Sequence, residues 1–170
     1  MSKPFWKSEA NVSNNGDFIS IQTYSGYSLA MIDPEAKEHL LSPGVSDEEL
    51  GKSILEALGE SRFLPIEEAR TLRLNTEQNY KNWIEQIKAR YGYKTKNALF
   101  KKMMSCGIQL DDGIITIRPS LHEKLEAWSG DGIREEDYVK IPADSPPAEI
   151  GAALRLAFKR CRGAKPDEYK

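Results

Sequence analysis

Between Phe18 and Gln22 the side chains alternate, with Phe18, Ser20 and Gln22 on one side and Ile19 and Ile21 on the other, the period of two that marks a strand. A polar lead-in ending at Asn14, Asn15 and Gly16 precedes it, and Gly26 interrupts it in a turn. A second apolar stretch, Tyr27 to Ile32, stops at Asp33 and Pro34, so the two read as a hairpin-like pair. Ser46 followed by Glu49 then forms a capping box, in which the hydroxyl accepts from a free backbone N–H and the carboxylate reaches back. Leu50, Ile54, Ala57 and Leu58 share one face of the helix this predicts, and Gly59 is placed to end it.

From Thr76 a second helix is predicted, with Tyr80, Trp83, Ile84 and Ile87 on its apolar side, Lys81, Glu85, Lys88 and Arg90 opposite, and Gly92 closing it. Thr95 to Met104 reads as a short helix, with an exposed lysine-bearing strand as the alternative. Cys106 to Leu110 and Ile114 to Arg118 flank Asp111, Asp112 and Gly113, and Asp-Gly supplies the positive φ angles of a tight hairpin. After a glycine-punctuated loop, Ser129 to Gly132, an acidic run leads into a strand from Tyr138 to Ile141 that Pro142 terminates. Ser145 reads as an N-cap with Pro146 at the first helical position, ahead of a helix whose apolar stripe runs from Ile150 to Cys161. Glu49, Leu50, Gly51, Ile54, Ala57 and Arg62 are echoed at Glu149, Ile150, Gly151, Leu154, Ala157 and Arg162, which suggests two strand-then-helix units on one sheet. The shared glycine would let each helix approach that sheet closely. These elements predict an α+β fold, a single domain over residues 1–163 with a largely antiparallel sheet packed against amphipathic helices, and a loose tail over 164–170.

At 170 residues the chain can bury roughly 70% of its extended surface, enough for one core without disulfide or metal staples. A formal charge of −2 argues against a general nucleic-acid or anionic-membrane binder. No signal-like apolar region or membrane-length run is present in the sequence, so a cytoplasmic location is expected. In that reducing compartment Cys106 and Cys161 read as free core residues.

Catalytic chemistry has no foothold in the pattern. Neither His39 nor His122 has a metal-ligand neighbour at zinc spacing, and no phosphate loop, dinucleotide fingerprint or nucleophile elbow occurs. No cofactor or metal is expected, and His122 reads as a helix-end or surface residue. Charge, however, is segregated. Residues 35–68 carry nine acidic side chains against three basic ones, 70–102 carry nine basic against two acidic, and 111–149 carry ten acidic against four basic. Such blocks can steer partners of opposite charge, or can simply be solvated faces. The basic segment Lys88 to Lys102, with Tyr91, Tyr93 and Phe100 interleaved, admits a small nucleic-acid-binding module. The acidic loop admits an anionic patch for a cationic protein surface.

In the C-terminal third, Pro119 and Ser120 are followed by Trp128 and Gly130, a strand ending at Ile141 and Pro142, the Ser145-Pro146 turn, Glu149 to Gly151, and Cys161. This pattern resembles the contact-dependent growth inhibition immunity proteins, CdiI, with weaker support upstream from YGYKTKNALFKKMMSC. The resemblance implies a cytosolic, non-enzymatic antitoxin that binds one-to-one and blocks the C-terminal toxin domain of a cognate CdiA protein, in a branch associated with ribonuclease toxins. It assigns no catalytic residue, and its motif positions read as packing and turns. An inhibitor of an RNA-cleaving enzyme can place carboxylates where phosphates would sit, so Asp131, Glu135, Glu136 and Asp137 are the expected toxin-binding residues, with Asp111 and Asp112 second.

Overall fold

A computed structural model describes residues 6–170; the first five residues of the expected domain lie outside the described residues. Strands β1 (Ser8–Asn14), β2 (Ile19–Gly26), β3 (Ala30–Ile32) and β4 (His39–Leu41) lead into helix α1 (Asp47–Gly59). Helices α2 (Ile66–Tyr91) and α3 (Lys96–Phe100) follow, then strands β5 (Met104–Asp111), β6 (Ile114–Arg118), β7 (Leu121–Lys124), β8 (Ala127–Ser129) and β9 (Val139–Pro142). Helix α4 (Pro147–Arg160) and the short β10 (Arg162–Gly163) complete the chain, with 3₁₀ turns at Glu135–Asp137 and Asp167–Tyr169. The main sheet has the order β3-β2-β1-β5-β6-β9, with β4 also on β2, and every pairing is antiparallel. A smaller sheet has the order β10-β7-β8.

The fold is therefore α+β with a mostly antiparallel sheet, as the periodicities predict. One face is apolar: Ala10, Val12, Ile19, Ile21, Cys106, Ile108, Ile115 and Ile117 form one core with α1 and α4. Each fully buried Ile or Leu there contributes about 1.5–3 kcal/mol of burial free energy. The Ser46 hydroxyl accepts from the Glu49 N–H at 3.1 Å, the expected cap of α1. Asp112 (φ 49°) and Gly113 (φ 75°) make the expected β5–β6 turn, and Gly92 (φ 75°) ends α2.

Several expectations need correction. The polar lead-in is itself β1, whose register pairs Val12 with Ile21 on one side and Cys106 on the other. Its inward positions are only Ala10, Val12 and the buried Asn14, too few apolar residues to announce a strand. Helix α2 begins at Ile66 rather than Thr76, because Pro65 starts it while most of its first turns face solvent. Pro146, not Ser145, occupies the N-cap of α4, and among the described residues no side chain caps that end. His122 lies in β7, not at a helix end. The shared glycines join helix to helix, not helix to sheet: a Cβ on Gly51 would overlap the Pro147 carbonyl oxygen, and one on Gly151 would overlap that of Asp47. The first turns of α1 and α4 thus meet through equivalent positions. The tail is not loose either. Tyr169 is 5% exposed, its ring packs edge-on against Phe158 at 5.3 Å, and Arg155 Nη1 donates to its hydroxyl at 3.0 Å.

Candidate functional site

The second face of the sheet alternates with the core face and is polar: Asn11 and Ser13 on β1, Ser20, Gln22 and Tyr24 on β2, and Ser105 and Gln109 on β5. Asn11 and Ser105 hydrogen-bond across β1 and β5 at 3.1 Å. Helix α2, with 26 residues about 39 Å long, crosses this face. Two apolar feet anchor it. Ala69 and Leu72 pack with Leu64 and Met31 at one end, while Ile84 and Ile87 pack with Phe18, Leu99, Phe100 and Met103 at the other. Between the feet its polar and aromatic side chains stand over the sheet, leaving a groove of about 610 Å³.

Asn11, Ser13, Gln22 and Tyr24 form the groove's floor, Thr76, Asn79, Trp83 and Gln86 its α2 wall, and Asp33, Pro34, Ala36, Lys37 and Glu38 a second wall. Phe100, Met103 and Trp128 close one end. Its rigid points are hydrogen-bonded. Glu38 Oε2 accepts from Trp83 Nε1 at 2.7 Å and from Ser20 Oγ at 2.5 Å, and Trp128 Nε1 donates to the Met103 carbonyl oxygen at 2.7 Å. His122 stacks on Trp128 at 4.8 Å, with both ring nitrogens facing backbone carbonyl oxygens. Tyr80 donates to Glu126 at 3.1 Å, and burial followed by that carboxylate pushes its phenol up. Burial opposes ionisation of Asp33, yet the Arg62 guanidinium at 2.9 Å and the Ser25 hydroxyl at 2.7 Å hold its carboxyl below the usual carboxylate range. Amide, hydroxyl and aromatic groups dominate the lining.

The six carboxylates expected to bind toxin lie elsewhere and in two groups. Asp111 and Asp112 occupy the β5–β6 turn, where Ile114 pairs with Pro142, whereas Glu135 to Asp137 precede β9 at the end where Ile117 pairs with Val139. The length of β6, roughly 13 Å from Ile114 to Arg118, separates the two groups. Glu135 pairs with Lys140 at 3.2 Å, Asp137 sits 3.9 Å from Arg162, and Asp111 sits 3.5 Å from Lys7. Asp131, Glu136 and Asp112 are exposed and have no ion-pair partner among the described residues.

The basic segment lacks the stacking platform a nucleic-acid module needs. Tyr91 stacks on the buried Phe18 at 4.6 Å, Tyr93 donates to Asp17 at 2.6 Å, and Phe100 is 1% exposed. Lys88 and Lys96 are spent on Glu85 and Glu126. The groove was not singled out from sequence, although a signal existed: Thr76, Asn79, Trp83 and Gln86 recur at helical spacing as a polar-aromatic stripe. Among the described residues no group of three or more His, Cys, Asp or Glu is arranged to hold a metal, and no helix is long and apolar enough to cross a membrane.

Comparison with known proteins agrees with this architecture. The sequence pattern of the CDI immunity protein family, CdiI, matches residues 8–161. Immunity protein CdiI-YPIII of Yersinia pseudotuberculosis serotype O:3 (strain YPIII) is 46% identical over 168 residues, covering 91% of this chain and 95% of the relative. A chain of the CdiA-CT/CdiI toxin and immunity complex from Yersinia pseudotuberculosis superposes with a TM-score of 0.85 at 40% identity, covering 93% of this chain and 99% of that one. A protein of unknown function from Neisseria meningitidis superposes with a TM-score of 0.83 at 35% identity, covering 95% and 99%. The chain belongs to the CDI immunity protein family, CdiI, and is an immunity protein rather than an enzyme.

Proposed function

We propose that this protein binds the C-terminal toxin domain of its cognate CdiA protein one-to-one in the cytoplasm and neutralises it, with the groove beneath α2 as the toxin's seat. The observation that carries the location is the groove itself, a polar sheet face and an α2 wall held apart by two apolar feet. Likeness over nearly the full chain to a member of a toxin and immunity complex supports the partner class. The exposed carboxylates Asp131, Glu136 and Asp112, beside the partly neutralised Glu135, Asp137 and Asp111, form two anionic patches outside the groove that speed encounter with a cationic toxin surface. The family resemblance carries the assignment of the toxin as a ribonuclease, and blockade of its active site is the mode of inhibition that goes with that assignment.

Two variants separate the roles. Asn79→Trp places a bulky ring in the groove from a position that belongs to neither foot, and weakens toxin binding at least tenfold, chiefly through faster dissociation. Replacing Glu135, Glu136 and Asp137 together by Ala slows association and flattens its salt dependence while leaving dissociation nearly unchanged. Toxin affinity indifferent to Asn79→Trp would show that the toxin does not sit in the groove, and unchanged association kinetics in the triple variant would show that the acidic loop does not steer it. Cleavage assays with RNA and DNA side by side, with and without the immunity protein, decide the toxin's substrate and whether binding stops turnover.

A further inference from the structure

Cys106 and Cys161 are 55 residues apart in sequence, yet their Sγ atoms lie 3.6 Å from each other. Cys106 is in the middle of β5, in the sheet's core, and is 0% exposed. Cys161 follows the last turn of α4, is 2% exposed, and begins the run through β10 to the buried Tyr169. Their surroundings make the two thiols unequal. A hydrogen bond from Cys106, then the Ser120 N–H and the Lys165 ammonium, hold the Cys161 thiol below its usual value against the effect of burial, whereas burial pushes Cys106 well up. Lys165 is fixed in place by donating to the Cys161 carbonyl oxygen at 2.6 Å. Cys161, at the end of α4 with Lys165 held against its carbonyl oxygen, is the sulfur placed to react first, and Cys106 lies within contact distance to resolve what forms on it.

We propose that Cys106 and Cys161 are a redox-convertible pair, which hydrogen peroxide, a two-electron oxidant of nearly water size, converts from a dithiol to a disulfide joining the end of α4 to β5. In the first step the Cys161 sulfur, having given up its proton, attacks one peroxide oxygen and the O–O bond breaks. The released hydroxide takes up a proton as water, leaving Cys161 as the sulfenic acid. Cys106, losing its proton, then attacks that sulfur and forms the S–S bond, and the sulfenic hydroxyl leaves as a second water. Two thiols have lost two protons and two electrons, and one peroxide has become two waters. Closing from the observed separation to a bond of about 2.05 Å asks for a movement of about 1.5 Å, within reach of small side-chain rotations.

The bond would close a long loop and remove freedom from the unfolded chain. It would also fasten the segment after α4, because β10 pairs with β7, and β8 beside β7 carries Trp128 at the end of the groove. None of this depends on the identity of the toxin.

The test exposes the full, reduced chain to hydrogen peroxide while folded, then denatures it in an alkylating reagent for mass analysis and peptide mapping. The expected product is a monomer lighter by two hydrogens, with both cysteines refractory to alkylation, a single Cys106–Cys161 cross-linked peptide, and a higher thermal midpoint than the reduced protein. Cys161→Ser should leave Cys106 fully alkylatable after the same exposure. Thiols that both remain alkylatable, oxygen adducts on Cys161 without a cross-link, or disulfides only between molecules would each overturn the proposal.

Discussion

His39 is 5% exposed in β4, and its Nε2 has no hydrogen-bond partner among the described residues, with Glu56 Oε2 3.8 Å away. Burial, reinforced by Lys37, lowers its pKa below the ordinary value of 6.5, while Glu56 and Glu60 pull weakly the other way. The sign of the linkage follows. In the unfolded chain the imidazole takes up a proton as pH falls through about 6.5, whereas the folded protein resists until a lower pH, so stability is greatest above that value and declines below it. Denaturant titrations at about pH 7.5 and about pH 5.5 should show a lower midpoint in acid, and His39→Gln should reduce the difference; equal pH dependence in the two proteins would contradict this assignment. Asp33 belongs to a different window. Its lowered pKa means that its contribution, made through Arg62 and Ser25, is lost only below about pH 4. Neither environment was legible beforehand: a buried histidine and a surface one look alike in sequence, and the Arg62–Asp33 pair spans 29 residues.

At the scale of elements, the contact between α1 and α4 is the feature most sensitive to a single methyl group. Because a Cβ on Gly151 would overlap backbone oxygen of Asp47, the clash cannot be relieved by swinging a flexible side chain aside. Gly151→Ala, which by helix propensity alone would stabilise α4, should instead destabilise the protein by about 1–3 kcal/mol, and Gly51→Ala should do likewise. Chemical denaturation of the two variants checks this, and unchanged or raised stability would show that the helices can separate without loss. The echo between Glu49 to Arg62 and Glu149 to Arg162 made these glycines visible in the sequence, but repeats do not say what lies opposite. Strongly periodic elements were the legible ones: α1, α4 and the Asp-Gly hairpin of β5 and β6 stand where their patterns put them. β1 escaped because Asn14 occupies an inward position, and the first turns of α2 escaped because a helix bridging two feet shows no continuous apolar stripe.

For the whole molecule, the sheet divides labour between its faces. The α1–α4 face supplies the core, and the face beneath α2 is left polar and concave, so a partner can be received without disturbing the packing that holds the fold. Charge is distributed on the same scale, with the carboxylates of the β8–β9 connection and of the β5–β6 turn at opposite ends of β6. Sequence reasoning found the charges because they are local in the chain. It did not find the groove, whose floor comes from β1, β2 and β5 and whose wall comes from α2, since no local pattern records which strands become neighbours. Whether this chain neutralises a CdiA C-terminal toxin domain is decided by calorimetric titration of the protein into its cognate toxin domain, with toxin activity followed on the same samples. Saturable one-to-one binding, with activity falling to background at equivalence, is the expected result. Absence of binding to a folded, active toxin domain, or binding that leaves its activity intact, would contradict it.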